Sequence, residues 1–170
     1  MADAKQVYRA HPTSGEVAEV LAKRLVATVG SRNEDGSIHL AYVLFLHQAG
    51  RMYFETSSVT RKARNADQRG RASMIVQGRA STGRSLMVAA EGEARVIRGV
   101  EAHALNHRLR AKYIKPEALE GIDRAWGRLD DVAVEITPRR WRSWTGSILH
   151  DETRKELAGS YEDAWLGDDV

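Results

Sequence analysis

The sequence of 170 residues contains no cysteine, which excludes a disulfide framework, a thiolate nucleophile, a cysteine-ligated zinc and an iron–sulfur cluster. Its first ten residues, MADAKQVYRA, lack the apolar core of a secretory leader. The longest strongly apolar run, Leu40 to Leu46, is far too short to cross a bilayer. A cytoplasmic protein that does not bind membranes is the expectation. Net charge is also small, 26 Lys+Arg against 23 Asp+Glu for a total of +3. That balance hides a division, because residues 151–170 carry seven acids and two bases and the preceding body is therefore strongly basic. Within the body, Arg61, Lys62, Arg64, Arg69 and Arg71 stand against the single Asp67. A basic knot of this kind points to phosphates on a nucleic acid, a membrane or a cofactor.

One domain with a sizeable core is expected at this length. Thr13 and Glu16 have capping-box spacing, and Val17, Val20, Leu21 and Leu25 repeat at helical steps, which predicts a helix over 14–24. Residues 25–30 read as a strand, Asn33-Glu34-Asp35-Gly36 as a turn and 37–46 as a longer strand, together a hairpin. In that second strand Ile38, Leu40, Tyr42, Leu44 and Leu46 face one way and Ala41, Val43 and Phe45 the other. Two apolar faces on an antiparallel strand imply a closed barrel, a subunit interface, or both. Further strands are predicted at 51–56, 71–77, 85–97 and 132–136, the last interrupted by Pro138 and resuming at 141–145. Gly92 marks the bend of the longest strand. Helices are predicted at 57–67, 100–113 and from Pro116 to about 128. The fold class is mainly β with helices, about six antiparallel strands.

Several patterns bear on chemistry. The run Thr56-Ser57-Ser58-Val59-Thr60-Arg61-Lys62 places hydroxyls, helix-terminal amides and two cations together, which suits a phosphate. An ordinary capped surface helix with solvated bases explains the same residues equally well. Residues 78–85 match the spacing of a nucleotide phosphate loop, but Arg84 replaces its lysine and a strand follows instead of a helix, so a hairpin loop is expected. His103 and His107 lie four apart without an acidic neighbour or a third ligand, so no metal site is expected. Glu91 and Glu93 read as the outer face of a barrel strand. The segment Pro138-Arg139-Arg140-Trp141-Arg142-Ser143-Trp144 interleaves cations and aromatics, which fits stacking on bases or on any flat anion, and equally a core or dimer contact.

The order and spacing of these features carry a resemblance. Ala27-Thr28-Val29, Asp35-Gly36-Ser37 with His39, Tyr53-Phe54-Glu55-Thr56 leading to Arg61-Lys62-Ala63-Arg64-Asn65, and Glu91-Gly92-Glu93-Ala94 together resemble the pyridoxamine-phosphate-oxidase-like split β-barrel family over roughly residues 15–145. The run Lys62-Ala63-Arg64-Asn65-Ala66-Asp67 most resembles its actinobacterial branch, which uses the deazaflavin coenzyme F420, while many relatives use FMN. The resemblance implies a six-stranded split barrel over 14–145; outside it, composition predicts a flexible N-terminus (1–13) and an acidic tail (146–170) that is partly helical or mobile. It implies a homodimer with two cofactor sites at the subunit interface. The cofactor phosphate would lie against Thr56, Ser57, Ser58, Arg61 and Lys62, with Asn65 bracing the turn. The ring edge would lie along Tyr42, Val43 and Leu44, with Gln77 and Trp144 approaching from a neighbouring strand or the partner subunit. Hydride transfer belongs to such a cofactor, so no catalytic side chain need stand out. The expected activity is an F420- or FMN-dependent oxidoreductase acting on a conjugated small molecule, or else a flavin- or haem-sequestering protein. Nucleic-acid binding through Arg61–Arg71 and Arg139–Trp144 is disfavoured, since the acidic tail would repel a polyanion. Family members often carry Asp-Pro-Arg where this chain has Arg69-Gly70-Arg71, so a different turn is expected there.

Overall fold

The computed structural model describes residues 12–145. The expectations for the acidic tail and for all but the end of the N-terminal segment lie outside these residues. In chain order the elements are α1 (Ser14–Ala22), β1 (Val26–Arg32), β2 (Ile38–Leu44), β3 (Leu46–Gln48), β4 (Arg51–Ser57), α2 (Arg61–Arg69), β5 (Arg71–Arg79), β6 (Ser85–Ile97), α3 (Gly99–Tyr113), α4 (Pro116–Trp126) and β7 (Asp131–Thr145). All seven strands form one antiparallel sheet in the order β2-β1-β5-β6-β7-β4-β3. Its edge strands, β2 and β3, are separated by the single residue Phe45. The sheet therefore curls until its two edges meet, and the barrel is split at that residue.

This break corrects the single strand expected over 37–46, and it makes the count seven instead of six. Its cause is the aromatic ring of Phe45, fully buried in the barrel. The backbone there turns away from the β1 ladder and is held by α3. Phe45 N donates to Tyr113 Oη at 3.3 Å, and Lys112 Nζ donates to Phe45 O at 3.3 Å. Tyr113 Oη in turn lies 2.8 Å from Leu25 O and 3.0 Å from Phe45 O. Side chains from a helix thus replace the missing strand partner.

Local chemistry accounts for most of the other elements. The Thr13–Glu16 capping box is reciprocal, with Glu16 N 3.2 Å from Thr13 Oγ1 and Thr13 N 2.9 Å from Glu16 Oε2. The Asn33–Gly36 turn forms as read, with Gly36 at φ 85°. Residues 80–84 close the β5–β6 hairpin, so the segment resembling a phosphate loop is a turn. Helix α2 begins at Arg61, later than expected, because Thr60 caps it by accepting from Ala63 N. It ends on Gly70 at φ 63°, which makes the turn where relatives often carry a proline.

Gly92 bends the longest strand as expected. A Cβ there would sit 2.0 Å from Thr137 O, and the β6–β7 register shifts between Glu91 and Gly92. Pro138 lies opposite Gly92 within the shift, where its missing N–H costs no ladder bond, so β7 runs unbroken through 131–145 instead of stopping. The barrel core includes Phe45, Phe54, Met52, Met74 and Val134. A smaller cluster, Tyr53, Ile97, Ala102, Leu105 and Ala133, seats α3 on the outside of β4 and β7.

Candidate functional site

A cavity of about 320 Å³ opens outside the barrel, between β2, the start of α2, the α3–α4 pair and the turn before β7. The C-terminal ends of β2 and β4 supply two of its walls. Tyr42, Val43 and Leu44 form one side, Thr56, Ser57 and Lys62 another, and Leu109, Trp126 and Leu129 a third. Glu55, Asp130 and Asp131 complete it. The upper part is cationic and hydroxyl-bearing, the flank apolar and the floor acidic.

The structure sorts the residues expected to hold a phosphate. Lys62 is half-buried, has no carboxylate partner among the described residues, and burial holds its ammonium below the usual lysine range. Ser57 keeps its hydroxyl proton available, since its Oγ accepts only a long bond from Val59 N, 3.4 Å. The first amides of α2 have no intrahelical acceptor, and Thr60 takes only that of Ala63. Thr56 lines the cavity, but its hydroxyl serves as a brace. Thr60 Oγ1 donates to Ser57 O at 2.9 Å, so Thr56 Oγ1 donates to Thr60 Oγ1 at 3.0 Å.

Ser58 and Arg61 depart from expectation. Ser58 turns its hydroxyl to Asp130 and its amide to Asp130 O, and it lies outside the lining. Arg61 is exposed and stands nearer the β1–β2 turn, where its charge acts on Asp35 and His39. Asn65 is buried, yet it braces the β1–β2 hairpin and not the strand-to-helix turn, donating to Ser31 Oγ at 3.1 Å and Asn33 Oδ1 at 2.9 Å. Gln77 and Trp144 pair with the same residue, Met87, and so share one row at the end of β7 remote from Asp131. Neither lines the cavity of its own chain.

The acidic floor was not anticipated. Arg110 of α3, with a side chain 4% exposed, is gripped by Glu55, Asp131 and Asp123. Its Nε lies 3.0 Å from both Glu55 oxygens and its Nη1 3.0 Å from Asp123 Oδ1, while Nη2 touches Glu55 and Asp131. Burial raises the Glu55 carboxyl to about 7; Arg110 opposes the shift and the Asp131 charge adds to it. Burial works against the Asp123 carboxylate, but bonds from His107 and Arg110 hold it below the usual range. His107 is thus a hydrogen-bond partner of Asp123, with Nδ1 2.6 Å from Oδ2. The sequence did contain a trace of this cluster, since Asn106 and Arg110 fall four apart beside Leu105 and Leu109 on a buried helix face.

The antiparallel sheet, its edges meeting at Phe45 and its cavity outside the closure, defines a split β-barrel. The family description for pyridoxamine 5'-phosphate oxidase matches residues 13–145, and the chain belongs to that family. No curated protein matches the chain. Among solved structures, a conserved hypothetical protein from Mycobacterium tuberculosis is similar at 22% identity and TM-score 0.68, covering 85% of this chain and 98% of that one. An F420 reductase is similar at 20% identity and TM-score 0.57, over 77% of this chain and 98% of its own. HutZ, the haem storage protein from Vibrio cholerae, is similar at 13% identity and TM-score 0.61, over 78% and 94%.

Proposed function

We propose that the chain is a homodimeric oxidoreductase that binds coenzyme F420 and moves a hydride between it and a conjugated organic substrate, with FMN as the alternative cofactor. The observation that carries this reading is Lys62, a half-buried cation with no ion-pair partner among the described residues, lining a cavity whose flank is apolar. A phosphate there would gain Lys62, the Ser57 hydroxyl and the α2 amides at once. The apolar wall of Tyr42, Val43, Leu44, Leu109 and Trp126 would take a flat ring and exclude water from it. When bound, the cofactor supplies the hydride, and the protein's part is to position, desolvate and hold charge. The resemblance of Lys62–Asp67 to the deazaflavin branch, together with the similarity to an F420 reductase, favours F420 over FMN.

The outer face of β2 supports the dimer. Ile38, Leu40 and Tyr42 are 64%, 65% and 82% exposed, an apolar stripe along an edge strand. A second copy seated there would close the cavity beside Tyr42 and Leu44, and it would bring its own Gln77 and Trp144 within reach. The partners on this reading are a second copy and a small-molecule substrate, with neither nucleic acid nor membrane among them. No helix of the described residues is long and apolar enough to cross a membrane.

Titration of F420 and of FMN into apo-protein, followed by fluorescence quenching, tests the reading. One of them is expected to bind well below the high micromolar range, and Lys62→Ala to weaken it by about 1.5–3 kcal/mol. Failure of both cofactors to bind overturns the proposal. Tight binding without turnover by any dye or quinone would favour sequestration of the cofactor, as storage of haem is named for HutZ on this fold.

A further inference from the structure

Three carboxylates converge on one buried guanidinium beneath the cavity. Glu55 and Asp131 are 11% and 7% exposed at their side chains, and both line the cavity itself. With Asp123 they bring three negative charges against the single charge of Arg110. His107 lies beyond Asp123, 57% exposed, and Lys62 of α2 lines the same cavity. Asp130, also on the wall, makes the cavity more negative still. Excess negative charge in so dry a place is relieved most cheaply by binding a proton.

The hydrogen bonds decide which group takes the proton. Asp131 receives both Arg110 and Asn106, the latter at 2.9 Å, and Asp123 receives Arg110 and His107. Glu55 receives Arg110 alone among the described residues, and it also lies against Asp131, a carboxyl–carboxylate contact that only a proton makes favourable. Asn106 is tied to the same cluster through Asp131. Only 1% exposed, it gives its amide nitrogen to Asp131 and leaves Oδ1 with no donor among the described residues.

We propose that Glu55 holds a proton at neutral pH and delivers it to the substrate as the hydride arrives, which makes it the general acid of the site. The delivery step rests on the function proposed above. Reducing a conjugated C=C or C=O bond adds a hydride, with its electron pair, to one atom and a proton to the other. The hydride comes from the reduced cofactor. The Glu55 O–H bond breaks with its electrons left on the carboxylate, Arg110 holds that anion, and solvent later restores the proton. The rise of the Glu55 carboxyl to about 7 by burial suits this cycle.

Two measurements test the proposal, both with Glu55→Gln, which keeps the side chain's shape and removes the transferable proton. Infrared spectroscopy of the cofactor-free protein should show a carboxylic-acid C=O band that titrates near pH 7 and is missing in the variant. A wild-type spectrum without that band below pH 7 overturns the proposal. Single-turnover oxidation of the reduced, cofactor-loaded protein by menadione, a conjugated quinone, should slow as pH rises through 7. Glu55→Gln should be about 100-fold slower and lose that dependence, while Glu55→Asp regains part of the rate. An unchanged rate with cofactor bound overturns the acid role and leaves the oxidoreductase reading standing. If neither cofactor binds, the delivery step falls with that reading, and the infrared band alone decides whether Glu55 holds the proton.

Discussion

Glu55 and Lys112 are displaced by the same force, loss of water around a charge, with opposite consequences for pH. Lys112 Nζ lies 3.1 Å from Leu21 O and 3.9 Å from the centre of the Phe45 ring, and burial lowers its ammonium to about 8. The folded protein therefore releases that proton earlier than the unfolded chain does. Its stabilising contribution is present above the ordinary 10.5 and is lost as pH falls through 8. Glu55 runs the other way. Its contribution is full below the ordinary 4.5 and is lost as pH rises through 7. Urea unfolding as a function of pH should show stability declining across the Glu55 window and rising again across the Lys112 window. Glu55→Gln should remove the first slope only, and a decline that persists in that variant would place the proton elsewhere.

Among the elements, α3 does the most to shape the barrel. It seats on Leu105 and Leu109, supplies Arg110 to the acidic floor, and holds the break between β2 and β3 through Tyr113 and Lys112. Tyr113→Phe would keep the ring and remove the hydroxyl, leaving Phe45 N and Leu25 O without that partner. The expected loss is about 1–3 kcal/mol, read by thermal or urea unfolding. A neutral result would mean that water replaces the hydroxyl at the break. The β6–β7 pairing shows how an element can be continuous where its composition suggests a stop. Pro138 is tolerated because the register shift opposite Gly92 leaves no ladder bond for it to lose.

For the whole molecule, the uncovered stripe of β2 is the strongest departure from an isolated globular chain. Leu40→Asp places a charge in the middle of the stripe without touching the lining of the cavity beside Lys62. Sedimentation or light scattering should show wild-type dimers and a monomeric variant, and a wild-type monomer at micromolar concentration would remove the dimer. Charge is distributed on the same scale. The basic knot of residues 61–71 is not a uniform surface for polyanions, because its members diverge. Lys62 faces the cavity, Arg71 lines a second groove with Arg32, Arg139 and Arg140, and Arg61 is exposed near the β1–β2 turn.

Local patterns in the sequence determined much of this protein. Two-residue alternation, the capping box at Thr13, the turn at Asn33–Gly36 and the bend at Gly92 each act over a few residues, so strand and helix identities were legible without a structure. The strand-to-helix turn at residues 57–62 was legible for the same reason, and Ser57 and Lys62 line the cavity from it. Closure of the sheet depended on contacts far apart in sequence. Phe45 breaks its strand because Tyr113 and Lys112, more than sixty residues away, hold its backbone. Glu55 became a candidate acid only when Arg110, Asp123 and Asp131 were folded around it. Alternation and capping are written residue by residue, whereas desolvation and charge balance exist only once distant segments share one dry space.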